Sequence, residues 1–214
     1  MSRFLLFRGA MVYNASMDPI TAIKIVVLAA FVLVIILRTM GPTKNKAAID
    51  RSLEYLGERL TPPKRPYVPD PLLYERFKAD CTDPGLLAEL ASGIVRHCGM
   101  EPRNLRVVTV SDRELQDAAG TYRSDGENSL ISIRVTPSSR PNILHSVLIH
   151  ECMHYFLFRS GIRREERREN EILTDVATVY MGFYQYMFDG YIMVGYLRDS
   201  ELKYVKEKMD NTYF

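Results

Sequence analysis

The sequence predicts an α+β protein in which a small twisted β-sheet packs on a helical bundle, with one transmembrane helix attached. Three observations support this fold class. Short runs of alternating apolar residues, such as 129–135, are typical of strands. From residue 141 onward the apolar residues follow helical spacing. A separate apolar run, 20–38, is long enough to cross a bilayer.

The composition fits one ordinary domain with appendages. Of the 214 residues, 47% are hydrophobic and 25% are charged, as expected of a globular protein with a core. A formal net charge of +2 argues against a dedicated nucleic-acid-binding protein. The three cysteines are too few for a disulfide framework and favour a reducing compartment.

The N-terminal region carries the strongest compositional signal. Residues 1–19 are predicted to be a tail, and residues 20–38 a transmembrane helix in contact with the lipid bilayer, because about 27 Å of helix nearly matches a hydrocarbon core of about 30 Å. A signal peptide would have a shorter apolar stretch and a small-residue cleavage site. More Lys and Arg follow the span than precede it, which predicts a single-pass membrane protein with a cytoplasmic domain.

Residues 39–66 are predicted to join this span to the folded domain. They begin as an amphipathic juxtamembrane helix and end as a proline-rich stalk. The helix has one apolar stripe, formed by Ile49, Leu53, Leu56 and Leu60. Such a stripe suits the membrane surface, the surface of the domain, or a homodimer through residues 49–60. The domain itself is expected to occupy residues 67–214.

Local signals predict the first elements of the domain. Asp83 is followed by proline and opens a helix that stops at Gly99. Residues 104–110 are predicted to form a strand. Residues 119–135 are predicted to form two strands joined by an Asp-Gly turn.

The C-terminal part of the domain is predicted to be helical. One helix runs from Pro141 to about Arg159 and ends at Gly161, a residue suited to a left-handed cap. A second helix is expected to continue through about Met187. A last helix is expected to begin near Asp199.

The first of these helices carries two histidines one turn apart. His150 and His154 lie on one helical face and can therefore bind the same zinc ion. Glu151 lies about 100° further round the helix and can take a proton from zinc-bound water. The surrounding residues are apolar on nearly every side, so the polar side chains need partners, which a metal supplies. His145 is turned about 140° away and is expected at the surface or the edge of the core.

The next helix carries a polar stripe on otherwise apolar faces, formed by Glu171, Thr174, Asp175 and Thr178. Glu171 is the predicted third ligand of one Zn²⁺ ion. Asp175 is predicted to accept the second ring N–H of a ligand histidine, with Thr174 or Thr178 completing this outer shell. A solvated helix entry is the expected role of the acids Glu165, Glu166 and Glu169.

The segments HECMH and NEILTD, at 150–154 and 170–175, resemble the gluzincin metallopeptidases of the thermolysin-like clan. The resemblance covers residues 141 to about 191 and is closest to minimal, single-domain members. It implies a zincin-like fold with the ligands, the general base Glu151 and the second-shell Asp175 as assigned above. It also implies that residues 129–135 form an edge strand that aligns the substrate.

One departure from this family concerns the oxyanion donor. The family adds a downstream histidine, whereas no histidine follows His154 in this chain. A tyrosine or an arginine is therefore the expected donor. The candidates are Tyr180, Tyr184 and Tyr191, with Tyr186 and Tyr196 as further alternatives.

The predicted function is that of a membrane-anchored zinc metallopeptidase acting on a peptide or protein substrate. The alternative is a non-catalytic or narrowly specific regulatory domain that binds a membrane-proximal protein partner. One bound zinc with an open coordination position would favour the enzyme over the binding domain. No nucleic-acid partner is predicted.

Overall fold

A computed structural model of the chain describes residues 45–111, 114–115, 118–190 and 196–213. These residues belong to one compact unit, Thr43–Phe214, and contain seven helices and one three-stranded mixed sheet. The predicted α+β class is therefore confirmed. The helices are α1 (Lys46–Gly57), α2 (Pro71–Ala79), α3 (Pro84–His97), α4 (Pro141–Arg159), α5 (Arg167–Tyr180), α6 (Tyr184–Gly190) and α7 (Asp199–Tyr213). The strands are β1 (Leu105–Val110), β2 (Gly120–Ser124) and β3 (Ser129–Arg134).

The sheet has the order β1-β3-β2. β1 runs parallel to β3, and β2 runs antiparallel to β3 after the predicted Asp-Gly turn, in which Gly126 has a φ of +99°. β3 is the central strand because it pairs with both β1 and β2, and its Ile131 and Ile133 are fully buried. The expectation that residues 129–135 form the edge strand was therefore wrong. β2 instead has no partner on its outer edge within the described part of the chain.

Helix α4 occupies the centre of the unit. It contacts the sheet through β2 and β3 on one side, and α3, α5 and α6 on the others. Its residues from Leu144 to Met153 are all buried, as its apolar sequence requires. The helix that carries the two histidines is therefore held by packing from several directions, which fixes the position of its side chains.

The second C-terminal helix ends earlier than the sequence predicts. It was expected to continue through about Met187, but α5 stops at Tyr180. Gly182 then adopts a φ of +86°, and its carbonyl accepts a hydrogen bond from the Tyr67 N–H at 3.1 Å. A Cβ atom at Gly182 would lie 3.3 Å from the Pro66 Cα, so this close approach between distant segments favours glycine.

Residues 45–66 form part of the same compact unit, although the domain was expected to begin at residue 67. Helix α1 packs against α5 and contributes Ile49 and Leu56 to the core, both fully buried. The Tyr180 hydroxyl donates to the Leu60 carbonyl at 2.9 Å. The apolar stripe was suited to the membrane surface, the surface of the domain or a homodimer. In the structure, the domain covers Ile49 and Leu56.

The membrane prediction requires a correction. No helix within the described residues combines the length and the apolar character needed to cross a bilayer. The segment 20–38, on which the predicted lipid contact and single-pass localisation depended, lies outside the described residues. The membrane anchor and the membrane localisation therefore form no part of the function proposed below.

His145 lies in the core rather than at its edge. Its side chain is fully buried, and neither ring nitrogen has a hydrogen-bond partner among the described residues. Four aromatic rings surround it, with centroids at 4.8–6.1 Å: Tyr67, Tyr74, Phe77 and Tyr186. Burial among these rings disfavours the imidazolium and lowers the pKa of His145 from 6.5 to about 4.

A pH dependence of stability follows from this burial. The folded protein keeps His145 neutral, whereas the unfolded chain binds a proton there below pH 6.5. The free energy of unfolding is therefore unaffected by His145 above pH 6.5 and decreases as the pH falls from 6.5 towards 4. The loss approaches about 3 kcal/mol, at about 1.4 kcal/mol per pKa unit. We expect denaturant unfolding to show a smaller loss on acidification for His145→Phe than for the wild type. Equal losses in the two proteins would contradict this assignment.

Candidate metal centre

Three predicted ligand residues lie together where α4 faces α5. The Nε2 atoms of His150 and His154 are 3.1 Å apart. The Glu171 Oε2 lies 3.4 Å from the His150 Nε2 and 3.3 Å from the His154 Nε2. His150 and His154 share a face of α4 because they are four residues apart, and Glu171 is placed opposite them by the first turns of α5.

The outer nitrogen of each imidazole also has a partner. The His150 Nδ1 lies 3.1 Å from Oδ1 of Asp175, a carboxylate that can only accept. The His154 Nδ1 lies 3.2 Å from Oγ1 of Thr174, whose own O–H donates to the Asn170 carbonyl at 2.9 Å. Both Nδ1 atoms are therefore assigned as donors, so each neutral ring directs the Nε2 lone pair into the cluster.

The cluster thus has three electron-pair donors and no proton between them when both imidazoles are neutral. A tetrahedral ion with ligands at about 2.0–2.1 Å would hold its ligand atoms about 3.3 Å apart. The observed separations of 3.1, 3.3 and 3.4 Å match this spacing. The residues present therefore fit a divalent zinc ion in both their chemistry and their arrangement.

Asp175 links this cluster to the C-terminal part of the chain. Its side chain is fully buried, and its Oδ2 accepts hydrogen bonds from the backbone N–H groups of Tyr196 and Leu197, at 2.9 and 3.0 Å. These contacts satisfy the buried carboxylate and orient it towards the His150 ring. The segment just before α7 therefore helps to fix the position of a predicted metal ligand.

Charges within the cluster stabilise one another without a metal. Burial opposes a charge on His150, but Asp175 and Glu171 outweigh it and raise the pKa of this imidazole well above its usual range. Burial likewise opposes ionisation of Glu171, but hydrogen bonds from the two histidines hold its pKa well below the usual range. A bound metal would take the place of the proton in this arrangement.

Glu151 lies beside the cluster, at a cavity of about 700 Å³ that both predicted ligand histidines also line. Its side chain is only 5% exposed. Burial raises the pKa of this carboxyl group, although the two histidines act in the opposite direction. A carboxylate whose pKa is raised by burial and which borders a cavity is suited to exchanging protons there.

Strand β2 approaches Glu151 closely at Gly120. A Cβ atom at this position would lie 2.7 Å from Cγ1 of Val147 and 3.0 Å from both Cγ and Oε1 of Glu151. Such contacts are too short for any other residue without movement of the strand or of Glu151. Gly120 therefore allows the sheet to form one wall of the cavity directly beside the carboxylate.

We expect Gly120→Ala to displace Glu151 or β2 and to lower the rate of any reaction that uses Glu151 by on the order of a hundredfold. Gly93→Ala is a matched control, because its Cβ would meet only the Tyr67 Oη, at an ordinary 3.8 Å. The measurement is the rate of peptide hydrolysis, the activity that the sequence predicts, for the two variants. A rate for Gly120→Ala equal to that of the control would contradict the inferred close packing.

The structure separates the candidate tyrosines. Tyr180 directs its hydroxyl to Leu60 and does not line the cavity, and Tyr184 packs on Phe188 instead. Tyr191 lies outside the described residues. Among the candidate tyrosines, Tyr196 lines the cavity and is 45% exposed.

The three acids predicted to form a solvated helix entry, Glu165, Glu166 and Glu169, differ in their surroundings. Glu166 caps α5 by accepting from the backbone N–H groups of Arg168 and Glu169, at 2.9 and 2.7 Å. Glu169 pairs with Arg51 on the surface at 3.2 Å. Glu165 lines the cavity, which its sequence pattern did not indicate. Sequence reasoning also missed Gly120, whose role depends on a contact between distant segments.

Comparisons with protein-family models, with curated proteins and with solved structures found no match to this chain.

Proposed function

We propose that this protein is a zinc-dependent peptidase with the resemblance to gluzincins described above. The observation that carries the proposal is the triangle of the His150 Nε2, the His154 Nε2 and the Glu171 Oε2, with sides of 3.1–3.4 Å, beside the buried Glu151. Zinc bound there would polarise a substrate carbonyl and lower the pKa of a water molecule.

Each residue has a distinct role in this proposal. His150, His154 and Glu171 would hold the metal, and Asp175 would keep the His150 ring in the tautomer that presents Nε2. Glu151 accepts a proton from the attacking water and later donates it to the leaving amine. Its burial supports this second step, because a raised pKa favours transient protonation.

The donor to the developing oxyanion is assigned to Tyr196. Tyr196 lines the cavity with the predicted ligand residues, and its backbone N–H donates to the Asp175 carboxylate at 2.9 Å. The other tyrosine lining the cavity, Tyr122, has its hydroxyl 3.2 Å from the Ser129 Oγ. A phenol donates a hydrogen bond to an oxyanion without needing a charge, so it can substitute for the histidine that this chain lacks.

The cluster fits a catalytic site better than a purely structural one. Structural zinc sites are closed by four protein ligands, whereas catalytic sites keep one position open. Among the described residues the cluster contains three ligand side chains, and it lies on a cavity of about 700 Å³. These features support an enzyme over a domain that only binds a protein partner.

The direct test is hydrolysis of a mixed peptide library by the purified full-length chain. We expect new amino termini to form in the presence of zinc, to stop forming after treatment with a chelator, and to form again when zinc is restored. Cleavage that continues undiminished without metal would contradict the proposal. The absence of cleavage by zinc-loaded protein would also contradict it.

A further inference from the structure

The cavity beside the metal centre is rich in cationic side chains. Four arginines line it: Arg134, Arg163, Arg164 and Arg167. Three glutamates also line it, but Glu171 is engaged by the histidines and Glu151 is buried next to them. Glu165 is the remaining acid among the lining residues, so a substrate entering the cavity meets a largely positive surface.

Three of these arginines, Arg163, Arg164 and Arg167, come from the turn before α5 and from its first residue; we call them the basic wall. The turn is anchored to α1 and α5. The guanidinium carbon of Arg164 lies 3.9 Å from the centroid of the Tyr55 ring, and the Tyr55 hydroxyl donates to the Arg163 carbonyl at 3.5 Å. The Arg164 N–H donates to the Asn170 side-chain oxygen at 3.0 Å. These contacts place the basic wall at a fixed position relative to the metal ligands.

Two guanidinium groups of the basic wall remain available for binding. Arg163 and Arg167 are exposed, and neither side chain forms an ion pair or hydrogen bond with the other described residues. Arg167 precedes Glu171 by four residues and so shares its face of α5. The Glu171 carboxylate contacts the two histidines, so it does not form an ion pair with the Arg167 guanidinium.

We propose that the basic wall selects peptide substrates with an acidic side chain next to the bond that is cleaved. This inference rests on the proposed peptidase function, since it assigns a substrate preference to the same cavity. A carboxylate accepts paired hydrogen bonds from guanidinium groups, and such charge-assisted bonds are stronger than neutral ones. Glutamate and aspartate side chains provide this group, whereas glutamine and asparagine have the same shape without the charge.

The test uses two fluorescent peptides that differ only in having Glu or Gln beside a central bond. Cleavage is measured with the wild type, with the double variant Arg163→Gln/Arg167→Gln, and with Arg96→Gln. Arg96 is a matched control because it is exposed and pairs with Glu101, away from the cavity. We expect the wild type and Arg96→Gln to favour the Glu peptide by about tenfold, and the double variant to lose this preference.

Binding distinguishes this inference from the peptidase proposal. Anisotropy of the same peptides is measured with zinc-loaded Glu151→Gln, with and without the two arginine substitutions. One outcome is that no peptide is cleaved, yet the Glu peptide binds more tightly than the Gln peptide only while both arginines are present. In that case the preference for an acidic side chain, here called the charge selection, stands and the peptidase proposal fails. If both peptides are cleaved and bound equally, the charge selection is overturned and the peptidase proposal stands. A preference that persists in the double variant also overturns the charge selection.

Discussion

Glu151→Gln is expected to lower the rate of peptide hydrolysis by on the order of a thousandfold while leaving the metal content unchanged. Glutamine keeps the size of the side chain but cannot accept a proton at neutral pH. Because Glu151 lies beside the three ligand side chains rather than among them, its replacement removes no predicted ligand. The measurement combines the hydrolysis rate with the zinc content of the same preparation.

A matched substitution controls for the general loss of a glutamate. Glu101 is exposed and pairs with Arg96 at 3.4 Å, outside the cavity, so Glu101→Gln should retain the wild-type rate. A Glu151→Gln variant that hydrolyses peptides as fast as this control would remove Glu151 from the mechanism. A variant that loses both zinc and activity would instead make Glu151 a metal ligand.

Glu171→Ala is expected to weaken zinc binding by more than about a hundredfold. Loss of an outer-shell partner already costs about ten- to a hundredfold in metal affinity, and Glu171 is a predicted direct ligand. Without it, the two Nε2 atoms of His150 and His154 face each other at 3.1 Å with no third donor. Competition with a fluorescent chelator measures the affinity directly.

Stability provides a second readout of the same substitution. A ligand that binds only the folded state at a hundred times its dissociation constant stabilises the fold by about 2.7 kcal/mol. Zinc should therefore raise the Tm of the wild type but not that of Glu171→Ala. Glu169→Ala is the control, because Glu169 lies on the same helix and pairs with Arg51 on the surface. Equal zinc-dependent shifts in Glu171→Ala and this control would argue against Glu171 as a ligand.

Local signals in the sequence were sufficient to predict much of the site. The four-residue spacing of His150 and His154 places both rings on one helical face whatever the surrounding fold. Glu171 and Asp175 were identified because a polar stripe on an apolar helix needs partners. The structure brings Glu171 within 3.4 Å of both Nε2 atoms and Asp175 within 3.1 Å of the His150 ring.

Other features depend on contacts between distant segments. At the break after α5, Gly182 accepts a hydrogen bond from the distant Tyr67, whereas the apolar pattern of the sequence continues through the break. The central position of β3 depends on its parallel pairing with β1. The two strands are not joined by a tight turn, so the sequence has no local signal that predicts this pairing. Tyr196 was one of several candidate tyrosines in the sequence, and the fold distinguishes it because it lines the cavity.

Helix α2 shows a local signal that was overlooked. Asp70 precedes Pro71 as Asp83 precedes Pro84, and in each case the aspartate accepts a hydrogen bond from an N–H of the first turn. The first pair ends a proline-rich run, residues 61–71, over which no helix was predicted. The capping signal was therefore as clear at α2 as at α3, but the surrounding composition concealed it.

The zinc content of the purified full-length protein tests the central claim most directly. Elemental analysis of the wild type should find one zinc ion per chain, and the same analysis of Glu171→Ala should find almost none. A wild-type protein that binds no zinc even when the metal is supplied at neutral pH would contradict the account. So would a Glu171→Ala variant that retains a full equivalent.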